Sequence, residues 1–264
     1  MIISGGILNG NIYGGYSDSN SAYKNAISIS GSTITGNIYG SYSITGSTYE
    51  NIMTISGKAS INGAIYNAYS AQSSADKNKL TISGGTITGN IYNGYSQAGN
   101  AYNNVVTISG GNGTSTIYSG YSETSSANNN TINILRRKNV STVYGGFSGA
   151  AYANENIINV RGGTIDTIYG GYSSGPGFAN NNTVNLWGGI VTGKIHGGYS
   201  PAGTGSNNVL NIYGNGLKAE NIADFQKINF FIPTDAVNKD IILTLSDPTG
   251  TGIDLTGLNK LNGM

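Results

Sequence analysis

Cysteine is absent from the 264-residue chain. That excludes a disulfide framework and any thiolate-ligated metal site, and it fits an exported protein. Charge is scarce: 9% of residues are charged and the formal net charge is +1. A chain without a basic face cannot neutralise a row of phosphates, so nucleic acid is excluded as a partner. No apolar run approaches the ~18 residues that a membrane-spanning helix needs. The periodicity of an amphipathic helix is missing from Met1 through Tyr213. The apolar fraction, 38%, is low for a globule but too regularly placed for disorder. Length alone would allow one or two ordinary domains.

What is abundant is glycine, 42 residues, and tyrosine, 19 residues. Most of the tyrosine belongs to one motif, Ile91-Tyr92-Asn93-Gly94-Tyr95-Ser96, which occurs eight times. Its first aromatic falls at Tyr13, Tyr39, Tyr66, Tyr92, Tyr118, Tyr144, Tyr169 and His196, in almost equal steps. One motif at one period means one structural unit stacked on itself.

Each unit opens with an alternating stretch such as Val105–Ser109, in which Val106 and Ile108 share one side. Alternation of this kind is the pattern of a half-buried strand. A Gly-rich corner follows, then a second strand, then the aromatic turn. The sequence predicts an all-β fold: a right-handed, three-sided parallel β-helix of about eight coils of ~26 residues, with strands ~4.7–4.9 Å apart. Ile29, Ile55, Ile82 and Ile108 begin one interior apolar column, and Ile12, Ile38, Ile65 and Ile91 begin another. The solenoid is assigned to residues 1–213 and a capping β segment to 214–264. In the cap the repeat decays, and 6 of the 12 acidic residues lie in Glu220–Asp254. A cap hides the open edge of a last coil. At the other end Ile2-Ile3-Ser4 reads as a strand cut from a preceding coil. The expectation is therefore a piece of a longer chain, without a signal peptide, whose uncapped first coil is open to end-to-end self-association.

Three columns recur with the motif. Asn25, Asn51, Asn78, Asn104, Asn130, Asn156, Asn182 and Asn208 precede the first strand of each coil. Stacked asparagines can bond both neighbours through their amides, and Asn tolerates the left-handed backbone of a sharp corner. This column is expected to be a structural ladder. The two aromatic columns accept different replacements: His196 in the first, and Phe147 in the second, which runs from Tyr16 to Tyr199. His for Tyr points to a solvated tip, and Phe for Tyr to a buried ring. The first column is therefore expected to face out as the candidate binding surface, and the second to pack inward. Between them, Gly14, Asn67, Asn93 and Ser119 point to a positive φ, and Gly15, Ser41 and Ala68 to crowding. The distance from motif Ser to ladder Asn is constant in every coil except that of Ser173 and Asn182. That connection is read as ordered and packed on itself, like a small compact loop, with insertions placed at the Gly-Gly corner.

Two runs, Leu80–Ser96 and Asn182–Ser200, carry the pair Asn-x-Val-Thr-Ile-Ser-Gly-Gly and Gly-Asn-Ile-Tyr-Gly-Gly-Tyr-Ser in varied form. The pair resembles the passenger repeats of bacterial type V autotransporters. Phe225–Leu245 is similar to the segment that closes such repeats. The resemblance spans nearly the whole chain. It implies a right-handed β-helix displayed at the bacterial cell surface, as an adhesin or a stalk. It also implies a partner that is a glycan or protein on a host or neighbouring cell, and attachment through an outer-membrane barrel of the parent.

Chemistry of other kinds is thinly represented. Acids of the coils do not recur at one corner, as a polysaccharide hydrolase would need. Asp166, His196 and Ser200 are the one constellation that can be drawn as a triad. Ice binding would use the array Thr54/Ser56, Thr81/Ser83, Thr107/Ser109, but this changes to Asn133, Asn159, Asn185 and Asn211. Arg136-Arg137-Lys138, the only basic cluster, replaces a Gly-Gly corner and is read as solvated rather than as an anion site. Trp187 and Tyr213 share an outward column, read as covered by the cap rather than as a sugar platform. Asp247–Asp254 lacks calcium-loop spacing, and no cofactor or metal is expected. The resulting expectation is a non-enzymatic extracellular solenoid. The alternatives are a polysaccharide-binding or polysaccharide-degrading β-helix and an ice-binding solenoid.

Overall fold

A computed structural model describes residues 1–203, 205–231, 241–247 and 249. Among them there are β-strands and no helix. One coil runs through four short segments: Lys79–Ile82, Thr86–Ile87, Ile91–Ser96 and Ala101–Tyr102. The next coil repeats the path from Val105–Ile108, which pairs in parallel with Lys79–Ile82 (Leu80 beside Val106, Ile82 beside Ile108). The first segments of all coils form a ten-stranded sheet from Ile2–Ile3 to Lys227–Phe230. The protein is a parallel β-solenoid of about nine turns.

Alternation in the sequence becomes alternation in burial. Leu80 and Ile82 are buried and Thr81 faces outward. Both expected apolar columns lie in one continuous core, joined by Ile27, Met53, Leu80 and Val106 and by Ile34, Ile61 and Ile87. Burying each such side chain contributes about 1.5–3 kcal/mol, but only once a neighbouring coil covers it.

Corners depart from the expected three-sided outline. A bend at Thr88-Gly89-Asn90 separates the second and third segments, giving four segments per coil. In two later coils that stretch is shorter and has no glycine: Ser141-Thr142 and Asp166-Thr167. There the segments fuse into the continuous strands Val140–Ser148 and Thr164–Ser173. A Cβ on Gly89 would lie 2.1 Å from the Gly63 carbonyl oxygen, so at this bend glycine is what lets the two coils touch. Length variation is therefore absorbed at this corner as well as at the Gly-Gly corner.

The left-handed residue at the other corner is not the ladder Asn but the one before it: Lys24, Glu50, Lys77, Asn103, Asn129, Glu155, Asn181 and Asn207, at φ 54–59°. Nor do Gly14, Asn67 and Asn93 carry positive φ. Asn67 and Asn93 are small for another reason. Their side chains are buried, and Asn67 Nδ2 donates to Asn93 Oδ1 at 2.8 Å and to the Lys79 carbonyl at 3.0 Å. Crowding at the next position is real: a Cβ on Gly94 would sit 2.4 Å from Asn104 Nδ2.

The fixed-length connection is ordered. The motif serine accepts from the backbone N–H three positions on (Gly99 N–H to Ser96 Oγ, 2.8 Å) and donates to the neighbouring coil (Ser96 Oγ to Ser73 O, 2.6 Å). It stacks on its counterparts rather than packing on itself, with Ala75 and Ala101 buried beneath.

The described part of residues 214–264 continues the stack as a further turn. Lys227–Phe230 pairs with Val209–Ile212, reached directly from Ala223 because the long connection is missing. Leu243–Leu245 pairs with Leu217–Ala219. Most of 232–264, including nearly all of the Asp247–Asp254 stretch, lies outside the described residues.

Candidate functional site

Alternation in Ile91–Ser96 turns both tyrosines of the motif away from the core. Both aromatic columns therefore lie outside, and the second does not pack inward as its Phe147 led us to expect. Tyr16 and Tyr199 of the second column are 55% and 38% exposed. Phe fits at 147 because the ring's neighbours are other rings. It stacks on Tyr121 at 4.7 Å and meets Tyr144 edge-on at 5.5 Å.

Within each column the rings stack face to face at coil spacing, Tyr92 on Tyr118 at 4.8 Å and 3°. Across the columns they meet at near right angles, Tyr92 with Tyr95 at 5.3 Å and 86°. Both arrangements are favoured for aromatic pairs. The consequence for recognition is direct: the faces of the expected binding column, Tyr13 through His196, are occupied by one another. A sugar that stacks on a ring face finds none free from Tyr39 to Tyr169, each of which is stacked on both sides; edges and hydroxyls remain. Burial raises the phenol pKa values, pushing Tyr69 and Tyr144 up to about 12 and Tyr66 and Tyr118 higher still. At Tyr95, burial and the hydrogen bond to Glu123 one coil on both favour the neutral phenol.

The Asn column is an interior ladder. Asn130 Oδ1 accepts from Asn104 N–H and Nδ2 at 3.0 and 3.1 Å, while Asn130 Nδ2 donates to Asn156 Oδ1 and the Ala101 carbonyl at 3.1 and 3.0 Å. From Asn51 onward these residues are buried. Their hydrogen-bonding groups face one another, which makes the column architecture. At the last turn Gln226 Oε1 takes the place of the next Asn, accepting from Asn208 N–H at 2.8 Å.

The constellation Asp166, His196, Ser200 is not assembled. Asp166 accepts from Thr192 Oγ1 at 3.1 Å. Ser200 Oγ donates to the Gly177 carbonyl at 2.6 Å. His196 stacks on Tyr169 and pairs through Nδ1 with Asp224 at 2.6 Å, a partner the sequence reasoning missed because it lies in the decayed repeat. The separation of the two, slightly more than one coil, was the available signal.

The basic corner also differs from expectation. Arg136 and Lys138 are exposed, but Arg137 is 1% exposed. Its Nη2 reaches the Asn112 carbonyl at 3.4 Å and Ser115 Oγ at 3.2 Å, while Nε and Nη1 have no partner among the described residues. Burial pushes this guanidinium down to about 10. Trp187 and Tyr213 stack at 4.6 Å, and Phe231 of the last turn covers Tyr213 at 4.4 Å, the expected contact with the terminal segment.

Comparison of the chain with known protein families, with curated proteins and with solved structures finds no match.

Proposed function

We propose that the chain is a non-enzymatic segment of an extracellular bacterial solenoid, serving as a surface adhesin or as the stalk that carries one. The observation behind this reading is the in-register pairing of every coil with the next, reinforced outside by stacked rings and inside by the Asn ladder. Such a body resists bending and presents the same groups at each turn, which suits spacing and repeated weak contacts. The resemblance to autotransporter passenger repeats supports surface display and a glycan or protein partner on another cell. On the first coil Ile2 and Ile7 are 81% and 74% exposed, an apolar edge that favours end-to-end pairing with a second copy.

Small-angle scattering and a cell-binding assay on the purified chain test the proposal. The expected particle is a rod of roughly 43 Å, nine steps of about 4.8 Å. Binding to cells, lost on substitution of outward residues, supports the adhesin. A rod that binds no cell sinks the adhesive half and leaves the stalk, while a spherical scattering profile sinks both.

A further inference from the structure

The outer face of the ten-stranded sheet changes chemistry midway. Its middle column holds Ser28, Thr54, Thr81 and Thr107, and then asparagine at 133, 159, 185, 211 and 229. These outer asparagines form a second ladder: Asn159 Nδ2 donates to Asn133 Oδ1, and Asn185 Nδ2 to Asn159 Oδ1, each at 2.8 Å. Each amide nitrogen has two hydrogens and the ladder uses one, so every step retains a donor.

At the same turn the neighbouring column changes from serine to Leu135, Arg161 and Trp187. The Arg161 guanidinium lies 4.3 Å over the Trp187 ring. That contact fixes its plane and leaves its N–H edge available, the geometry that suits a carboxylate or sulfate. Arg136 sits in the adjoining coil, next to Leu135, and Lys138 follows at the same corner. All three cations are exposed. Among the described residues the acid contacts of basic side chains are Lys24–Glu50 and His196–Asp224, so no acid is paired with any of the three. Buried Arg137, also without an acid partner, adds a fourth positive charge beneath them. Asp166, on the strand that follows Arg161, accepts from Thr192 and pairs with none of the three cations.

We propose that this face binds an anionic polysaccharide, a sugar chain carrying carboxylates or sulfates, laid along the solenoid axis. Arg136, Lys138 and Arg161 take the acid groups, and the free amide donors of Asn133, Asn159 and Asn185 take ring hydroxyls. A nucleic acid fits less well, because both faces of Trp187 are covered, by Arg161 and by Tyr213, and no base can stack there. The site is chemically distinct from the tyrosine columns, and it does not depend on where the chain is displayed.

The test is equilibrium binding of the purified chain to immobilised polygalacturonate and heparin, with neutral dextran and duplex DNA as comparators. Expected is salt-sensitive binding to at least one acidic glycan, with the preferred column reporting carboxylate or sulfate. The double variant Arg136→Ser/Lys138→Ser and the single variant Arg161→Gln should each weaken it about tenfold or more. Lys24→Ser, far along the rod, should leave it within about twofold. Melting curves establish that each variant is folded. No retention on either acidic glycan, retention unchanged by the corner variants, equal loss with Lys24→Ser, or tighter binding to DNA would overturn the proposal.

Discussion

At the residue scale the interior asparagine shows how a polar group is kept in a core. Every hydrogen-bonding group of the Asn130 carboxamide is used, with two bonds accepted and two donated. Asn130→Asp keeps the shape and removes both donors, so the Ala101 carbonyl and Asn156 Oδ1 would face another acceptor. Each buried unsatisfied group costs about 1–3 kcal/mol, so the variant should lose on the order of 3–5 kcal/mol at neutral pH. Burial raises a carboxyl pKa, and a group with a raised folded pKa gains relative stability as pH falls. The gap to the parent chain should therefore narrow on acidification, because the protonated acid regains one donor. Denaturant titration at neutral and mildly acidic pH measures this, and a gap that widens in acid would refute the ladder account.

At the scale of the element, one corner breaks the repeat and repairs it. The apolar column Ile34, Ile61, Ile87 continues at Val140 and Ile165, but the coil between has Gly113 opposite Ile87. Ser115 turns inward in that coil, and Arg137 reaches back from the next corner toward it. Volume is restored with the wrong chemistry, since a guanidinium is buried with two nitrogens unpaired among the described residues. Replacing such a charge by an apolar side chain of similar length is often stabilising, by roughly 1–4 kcal/mol. Arg137→Met should accordingly raise the melting temperature. A clear fall would show that the guanidinium gains more from its contacts to Asn112 and Ser115 than its burial costs.

For the whole molecule, the tyrosine columns set a limit in alkali. Burial raises the phenol pKa of Tyr69 and Tyr144 from 10.0 to about 12. The folded state then holds protons that the unfolded chain releases, so this stabilising contribution is intact below about pH 10 and is lost as pH rises through the folded values. Phenolate absorbance should lag behind that of the denatured chain above about pH 10. It should then rise together with loss of β circular dichroism near and above about pH 12, since several other phenols are held higher still. Phenols that titrate like free tyrosine, with the fold intact, would mean that the columns are open to solvent.

The near-constant period, the alternation of apolar side chains and the recurrence of Asn were sufficient to specify the parallel solenoid, its apolar columns and its ladder. Each is a local pattern that stacking merely repeats. The orientation of the second aromatic column was not legible in the same way. Phe147 in a row of tyrosines reads as a buried ring, whereas the structure lets rings shelter one another on the outside. The same holds for Arg137, whose burial depends on a vacancy one coil away, and for His196, whose partner Asp224 lies beyond the last regular repeat. Periodicity fixes which residues share a column. What a column faces, and which irregular residues meet across coils, is decided only when the coils are stacked, because those contacts join positions that the period does not align.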